Sequence, residues 1–489
     1  MRALKKLTVL ALALLLALLA ALPAGAEGFA FNWDIDDNTP AFGAPHCKSL
    51  ILYNLDTDSV VYALEPDVAR PMASMTKIMT FIVAYENIPD IENTVMTVPQ
   101  SVSDELEGTY SSEAYMFAGE QYTGKDMLYL MMVPSGNNAA LTLAKYVDQL
   151  HGDLYTPIRE DEDGDWIVDP AFDPTDYTGH SYFVELMNQK AKELGCENTH
   201  FTNPHGLHNE NHYASARDMV KIARYAMTIP GFTDVTGTEA WNYHPVGDAE
   251  DVRTAVTTNK MLLNYLDDNG MTYYYQSCTG IKTGSLDEAG YCITATATAF
   301  GYTYIAVAMG SPMVDASGND IDLHGEMLDV RSLFRWAFDG LEKETVAVKG
   351  DAKASVPLKF AWKKDQLLLT VGENVSVIMP DTVEESSILL TPNLPESVDA
   401  PVQKGDQIGT ATLSYAGEVL AEVPLIAAES VAKSEAMQVL ETGHQILTAP
   451  WFLIILGVIA GLILIYIILI FVYRRKQKQL RRVRRFKDM

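Results

Sequence analysis

PMASMTKIMT, Pro71–Thr80, decides how the chain is read. Ser74 and Lys77 stand three apart in a run that is otherwise apolar at Met72, Met75, Ile78 and Met79. On a helix, residues i and i+3 share a face, so the hydroxyl and the amine can meet. Apolar surroundings disfavour a charged lysine and lower its pKa. A neutral amine beside a hydroxyl is a general base beside a nucleophile. The spacing alone does not prove this, because a surface helix with a snorkelling lysine has it too. Ser430 and Lys433 repeat it with no chemistry around them. The pair therefore needs partners elsewhere in the chain.

Two further short motifs supply them. Ser135-Gly136-Asn137 follows a helix break at Pro134, 61 residues after Ser74. Lys282-Thr283-Gly284 lies 208 residues after Ser74 and enters a strand. A second SGN at Ser317 falls after KTG, out of order. The order SxxK, SxN, KTG, on helix, loop and strand in turn, is a set that carries serine acyl-transfer chemistry.

The elements around these motifs follow from pattern. Cys47–Leu64 reads as two strands about a polar turn at Asp56–Ser59, a hairpin signal. Thr123-Gly124-Lys125-Asp126 offers a capping hydroxyl and an acid three residues later, so a buried helix should cover Met127–Val133. Helices are expected over Asn138–Val147, Tyr182–Leu194, Ser215–Met227 and Met327–Phe338, and FTNPHGL at Phe201–Leu207 as a turn. YCITATATAF and YTYIAVAMG read as adjacent antiparallel strands. From about Thr345 short strands take over, a small all-β domain over 345–428, with a helical juxtamembrane linker over 429–450. The stretch 151–180 is rich in acids and turn residues. Asp161–Asp165 suggests a calcium loop, but position six is Trp166 rather than Gly and position twelve is Phe172 rather than Glu, so a solvated acidic insertion is the reading and no metal is expected.

The two ends are apolar for different reasons. Arg2, Lys5 and Lys6 precede Leu7–Leu22 and the small residues Ala24-Gly25-Ala26, which reads as a signal peptide over 1–26. Trp451–Tyr473 is 23 residues without a charge, enough to span a bilayer, with interfacial aromatics at its ends. Arg474–Met489 carries nine basic residues and one acid, which should hold this tail in the cytoplasm. Gly457 and Gly461 form a GxxxG that hints at a weak dimer in the membrane. The chain carries −28; the leader contributes +3 and the tail +8, so the body, 27–450, carries −39. Such a body does not bind nucleic acid, because phosphate contact needs Lys and Arg. Cys47, Cys196, Cys278 and Cys292 show no metal spacing. Export permits disulfides, and buried small thiols are the preferred reading.

ASMTKIMT, VPSGNNAA, FTNPHGLHNENHYASARDM, GIKTGSLDEAGYC and PVQKGDQIGTATLSYAGEVLAEVPL together resemble the low-molecular-mass penicillin-binding proteins, the serine D-alanyl-D-alanine carboxypeptidases. The resemblance covers nearly the whole body. It implies an α/β (α+β) transpeptidase or β-lactamase-like catalytic domain over 27–344, an antiparallel sheet flanked by helices, then a β-rich domain near the membrane. It implies peptidoglycan stem peptides as substrates, covalent binding of β-lactams, and no cofactor. By resemblance Ser74 attacks the carbonyl between two D-alanines and Lys77 takes its proton. Ser135 relays a proton to the leaving D-alanine and Asn137 holds the substrate amide. Lys282, Thr283 and Gly284 meet the terminal carboxylate, and the N–H groups of Ser74 and Ser285 meet the oxyanion.

The pattern is departed from in several places. Asn138 stands where the family often has Asp. The insertion after Leu150 is unusual, and the anchor should span the membrane rather than lie on it. DLHGEMLDV lacks an arginine that some members carry there, leaving His324 and Arg331 as the nearest cations besides Lys282. A serine β-lactamase would use the same motifs, but the β-domain and span argue against it. A catalytically inactive peptidoglycan-binding scaffold would not need the complete set.

Overall fold

The structure is a computed structural model that describes residues 27–28, 31, 44–152, 158–160, 166–168, 172–267, 270–315, 317–381, 383, 387–415, 418–436, 439 and 447–487. The leader and the Asp161–Asp165 run lie outside the described residues. The chain falls into two compact units. The first runs to Glu344 and takes in Ser376–Ser387 and Ala416–Leu420; the second holds Thr345–Val375, Ile388–Tyr415 and Ala421 onward.

The first unit is built on a six-stranded antiparallel sheet. Its strands are β1 Glu27–Gly28, β2 Ser49–Asn54, β3 Ser59–Leu64, β4 Cys278–Leu286, β5 Gly290–Ala299 and β6 Tyr302–Ser311, in the order β1-β3-β2-β6-β5-β4. The hairpin β2–β3 pairs Leu50 with Leu64 and Asn54 with Ser59. The Asn54 side-chain oxygen accepts from the Asp56 and Thr57 N–H groups and turns the chain. Along β5 and β6 consecutive residues are buried, Cys292–Ala297 and Tyr304–Ser311. Successive strand residues point to opposite faces, so this sheet is covered on both. KTG lies on β4 at the sheet's edge.

The helices begin where the sequence offers caps. Thr123 Oγ1 accepts from Asp126 N at 3.1 Å, Ser181 Oγ from Val184 N at 3.3 Å and Ser215 Oγ from Asp218 N at 3.1 Å. Such a cap contributes about 1 kcal/mol. The helices of this unit longer than one and a half turns are α1 Lys77–Asn87, α2 Gln100–Leu106, α3 Gly124–Met132, α4 Asn137–Leu150, α5 Tyr182–Glu193, α6 Ala216–Ala226 and α7 Gly325–Asp339. Ser74 lies in a single 3-10 turn, Ala73–Thr76, that leads into α1. Helix α1 is central: Ile78, Met79, Ile82 and Ala84 are fully buried. Each large apolar side chain there contributes about 1.5–3 kcal/mol by leaving water. The same burial removes water from Lys77, on the same helix.

The second unit carries another six-stranded sheet, of β7 Ala352–Lys359, β8 Gln366–Val371, β9 Leu389–Asn393, β10 Val398–Asp399, β11 Gln407–Tyr415 and β12 Glu418–Ala427, in the order β9-β11-β12-β8-β7-β10. Leu367, Leu369 and Val371 alternate inward along β8. Helix α8, Pro450–Lys487, includes Pro450–Gln477, which is long and apolar enough to cross a membrane.

One local expectation needs correction, and several elements were not foreseen. The linker after Ala427 does not begin as helix: Ala428–Ser434 is irregular, and Val431 pairs with Val402 as an isolated bridge. That pairing satisfies backbone groups that a helix would have satisfied internally. The acidic insertion holds a short hairpin, Ile158–Glu160 with Trp166–Val168, for which the pattern gave no signal. Helix α2 and the ladders Val95–Thr97 with Gln121–Thr123 and Ala240–Tyr243 with Arg253–Val256 had no signal in the pattern. All four cysteines are free thiols; Cys47, Cys278 and Cys292 are buried and Cys196 is partly so.

Candidate active site

Lys77 is the centre of the site. It is fully buried, and its Nζ lies within hydrogen-bond distance of three oxygens: Ser74 Oγ at 2.8 Å, Asn137 Oδ1 at 2.6 Å and the His205 carbonyl at 2.7 Å. No carboxylate is among them. Burial, aided by the Lys282 charge, pushes the amine well below the usual lysine range. The 3-10 turn places Ser74 one turn before Lys77, which is what the i, i+3 spacing predicts.

The SGN segment closes one wall. Helix α3 ends at Met132, two residues before Pro134, and Ser135 adopts φ 65°, a left-handed conformation uncommon for a residue with a side chain. Gly136 N–H returns to the Leu130 carbonyl at 3.0 Å, and Asn137 N–H reaches the Ser112 carbonyl at 2.8 Å. Asn138 makes its contacts with Ala114 rather than with Lys77. Its amide accepts from Ala114 N at 3.0 Å and donates to Ala114 O at 2.8 Å, a double bond pattern that suits an amide.

The opposite wall is β4. Thr283 Oγ1 lies 2.6 Å from Thr258 Oγ1. Lys282 is 1% exposed, with its ammonium donating to the Thr283 carbonyl at 3.1 Å. Burial lowers its pKa to about 7. Gly284 lies against Ser74: a Cβ there would stand 2.7 Å from the Met72 carbonyl and 3.2 Å from Ser74 N.

The floor comes from FTNPHGL. Gly206 has φ 99°, and a Cβ on it would lie 2.1 Å from the Ala73 carbonyl and 3.0 Å from Ser74 N. Asn203 accepts from Gly206 N–H at 2.7 Å and fixes the turn. Thr80 donates to the Pro204 carbonyl at 2.5 Å, tying the turn to α1. His212 accepts from Thr202 N–H at Nδ1, so its Nε2 carries the proton and donates to Thr76 Oγ1 at 2.7 Å. Thr76 in turn donates to the Ala73 carbonyl at 2.7 Å. Burial keeps both His205 and His212 neutral, lowering His205 well below its usual value and His212 to about 3.

Ser74, Ser135, Asn137, Thr283, Gly284 and Ser285 thus line one cleft, together with Thr109–Ser112, His205–Leu207, Thr258 and Leu286. Lys77 and Lys282 are buried beside it. Arg331 donates to the Thr272 carbonyl, and His324 pairs with Glu326 at 2.9 Å; neither lines the cleft. Among the described residues no group of His, Cys, Asp or Glu is gathered to hold a metal.

A buried lysine–serine pair with SxN and KTG on facing walls has a counterpart in a known family. The model for D-alanyl-D-alanine carboxypeptidase matches residues 37–149 and 177–313. The chain belongs to the D-alanyl-D-alanine carboxypeptidase family. The interruption of the match falls on the acidic stretch. A second model, the C-terminal domain of penicillin-binding protein 5, matches 341–433. The carboxypeptidase is 30% identical to D-alanyl-D-alanine carboxypeptidase DacF of Bacillus subtilis over 80% of this chain and 87% of that one. It is 23% identical to D-alanyl-D-alanine carboxypeptidase DacA of Escherichia coli, over 81% and 87%. Penicillin binding protein 5 from Haemophilus influenzae shares the fold, with a TM-score of 0.56 at 23% identity, over 81% of this chain and 99% of that one.

Two parts of this carboxypeptidase's site had no signal as chemistry. FTNPHGL acts through the His205 carbonyl and the absent side chain of Gly206, and neither a carbonyl nor a missing Cβ marks a sequence. Thr258 and Thr109–Ser112 reach the cleft by tertiary contact alone.

Proposed function

We propose that this serine D-Ala-D-Ala carboxypeptidase removes the terminal D-alanine of peptidoglycan stem peptides through an acyl-enzyme on Ser74. The observation that carries the reading is the threefold contact of buried Lys77. A neutral amine has two N–H groups and one lone pair. Asn137 Oδ1 and the His205 carbonyl accept the two N–H groups, which leaves the lone pair aimed at the Ser74 hydroxyl. Ser74 then attacks the penultimate carbonyl as its proton passes to Lys77. The N–H groups of Ser74 and Ser285 bear the oxyanion. The C–N bond breaks as Ser135 relays a proton to the leaving D-alanine. Water adds to the ester, the proton returns, and the shortened peptide departs. Asn137 steadies the substrate amide. Thr283, with Thr258 beside it and Gly284 leaving room, meets the terminal carboxylate, and Lys282 supplies its charge from behind. A β-lactam follows the same path and stays as the acyl-enzyme.

The anchoring belongs to the same reading. Residues 1–26 act as a cleaved leader, 27–344 form the catalytic domain outside the cell membrane, and 345–428 hold it off the surface. Residues 429–450 link to a span over 451–473, and 474–489 remain in the cytoplasm. Gly457 and Gly461 support a weak pairing of spans. The test of the chemistry is labelling by a radioactive or fluorescent penicillin. The wild type takes up one label, found on the peptide that holds Ser74. Label retained by Ser74→Ala refutes the assignment.

A further inference from the structure

Residues 345–434 contain seven lysines and no arginine, and Lys359, Lys363, Lys364 and Lys433 are four of the seven. The fold brings these four to one end of the second unit. The turn between β7 and β8 carries Lys363 and Lys364, with Lys359 at the end of β7. Ser434 N–H donates to the Phe360 carbonyl at 2.7 Å, which brings Lys433 to the same turn. Lys364 pairs with Glu429. Lys359 stands opposite Asp399 in the β7–β10 register. Lys363 and Lys433 are exposed and hold no carboxylate at ion-pairing distance among the described residues.

Trp362 sits among these lysines, 61% exposed, and is the one exposed aromatic among the described residues of 345–434. Phe360 and Lys363, two before it and one after, both have left-handed φ, 58° and 60°, so the turn is sharply bent around it. A tryptophan gains by burying its large ring, and this one buries little within the protein. Tryptophan flanked by lysine is the composition of a membrane–water interface.

The chain leaves for the span from this same end. Ser434 is tied to the turn, and fifteen residues separate it from Pro450, which opens the apolar helix. Fifteen residues reach at most about 50 Å, so the turn is tethered close to the bilayer. Asp365, Asp399, Glu429 and Glu435 share this end, so the attraction to anionic lipid rests on the two exposed lysines, Lys363 and Lys433, set in a body that at −39 is otherwise repelled by it. We propose that the Phe360–Lys364 turn, with Trp362 at its tip, docks on the anionic phospholipid surface beside the chain's own span. The docking rests on the anchoring reading given above.

The test uses the full chain in lipid nanodiscs, with amide hydrogen exchange read by mass spectrometry. Exchange across residues 359–365 should slow about tenfold in phosphatidylglycerol discs relative to phosphatidylcholine discs. The combined variant Trp362→Ser, Lys363→Ser, Lys433→Ser should lose that slowing, while exchange across 203–207 stays as in the wild type. Equal exchange in phosphatidylglycerol, phosphatidylcholine and detergent overturns the docking. Equal slowing in both lipids overturns the role of charge. Slowing by soluble poly(glycerol phosphate) in detergent, with none in phosphatidylglycerol discs, overturns the lipid as the occupant and points to an anionic cell-wall polymer. A chain that fails to enter discs at all strikes the anchoring reading itself, and the docking falls with it.

Discussion

Lys282 gives the sharpest prediction, because its burial sets a pH at which recognition should fail. The substrate's terminal carboxylate is ionised throughout the range in which the enzyme works, so the partner must carry the charge. Burial holds the Lys282 pKa at about 7 in the free enzyme. A lysine whose pKa is depressed carries its charge below that value and loses it as the pH rises through it. The free enzyme's ionisations govern kcat/KM. Between pH 6 and pH 8 the charged fraction falls from about nine-tenths to about one-tenth, so kcat/KM on a peptide ending in D-Ala-D-Ala should fall about tenfold. The same peptide with a C-terminal amide should show no such fall. Lys282→Ala removes a charge-assisted contact that contributes about 1.5–3 kcal/mol, and should cost about ten- to a hundredfold on the free acid. Lys282→Arg, whose charge does not titrate, should flatten the alkaline limb at whatever height its activity settles. His324→Ala should change little, since His324 faces Glu326. The assay is release of D-alanine from the two peptides across pH 5.5–9. An alkaline fall shared by acid and amide, or a Lys282→Ala enzyme that keeps its preference for the acid, refutes the reasoning.

Lys77→Ala should abolish acylation by penicillin while leaving the thermal transition in place, since the variant also removes the cost of a buried amine; a variant that still acylates at the wild-type rate would contradict the role of base. Gly206→Ala should lower stability by more than about 1 kcal/mol, because φ 99° and the Ala73 carbonyl both oppose a Cβ, and should slow acylation in parallel; an unchanged melting temperature would refute this. Removal of 451–489 should give a protein that hydrolyses small peptides at the full-length rate, and a folded but inactive body would show that the span and the chemistry are coupled.

The hairpin β2–β3, the capped helices and the strands β5 and β6 were legible because each rests on local chemistry: a turn residue, a capping hydroxyl, a period of two. The lysine–serine pair was legible for the same reason. What was hidden is what depends on the far chain. The burial of Lys282 follows from packing that one strand's pattern does not contain. The two acceptors of the Lys77 N–H groups come from Asn137 and His205, 60 and 128 residues away. Residues 428–434 look like the start of a helix by composition, yet the pairing of Val431 with Val402 overrides propensity.

The two glycines that crowd Ser74 have a consequence for drug resistance. Near its amide Ser74 meets the main chain of both Gly206 and Gly284, so part of its enclosure is not encoded by any side chain. A point mutation can trim or enlarge a side chain, but it cannot retract a backbone that is already bare. At these two positions it can only add atoms, and added atoms push on the Ala73 and Met72 carbonyls and hence on Ser74, the proposed nucleophile. A change here that shut out a β-lactam would also disable the attack on D-alanine. Variants that discriminate between drug and substrate must therefore arise farther out, among the side chains at the mouth of the cleft such as Thr109, Tyr110 and Leu286.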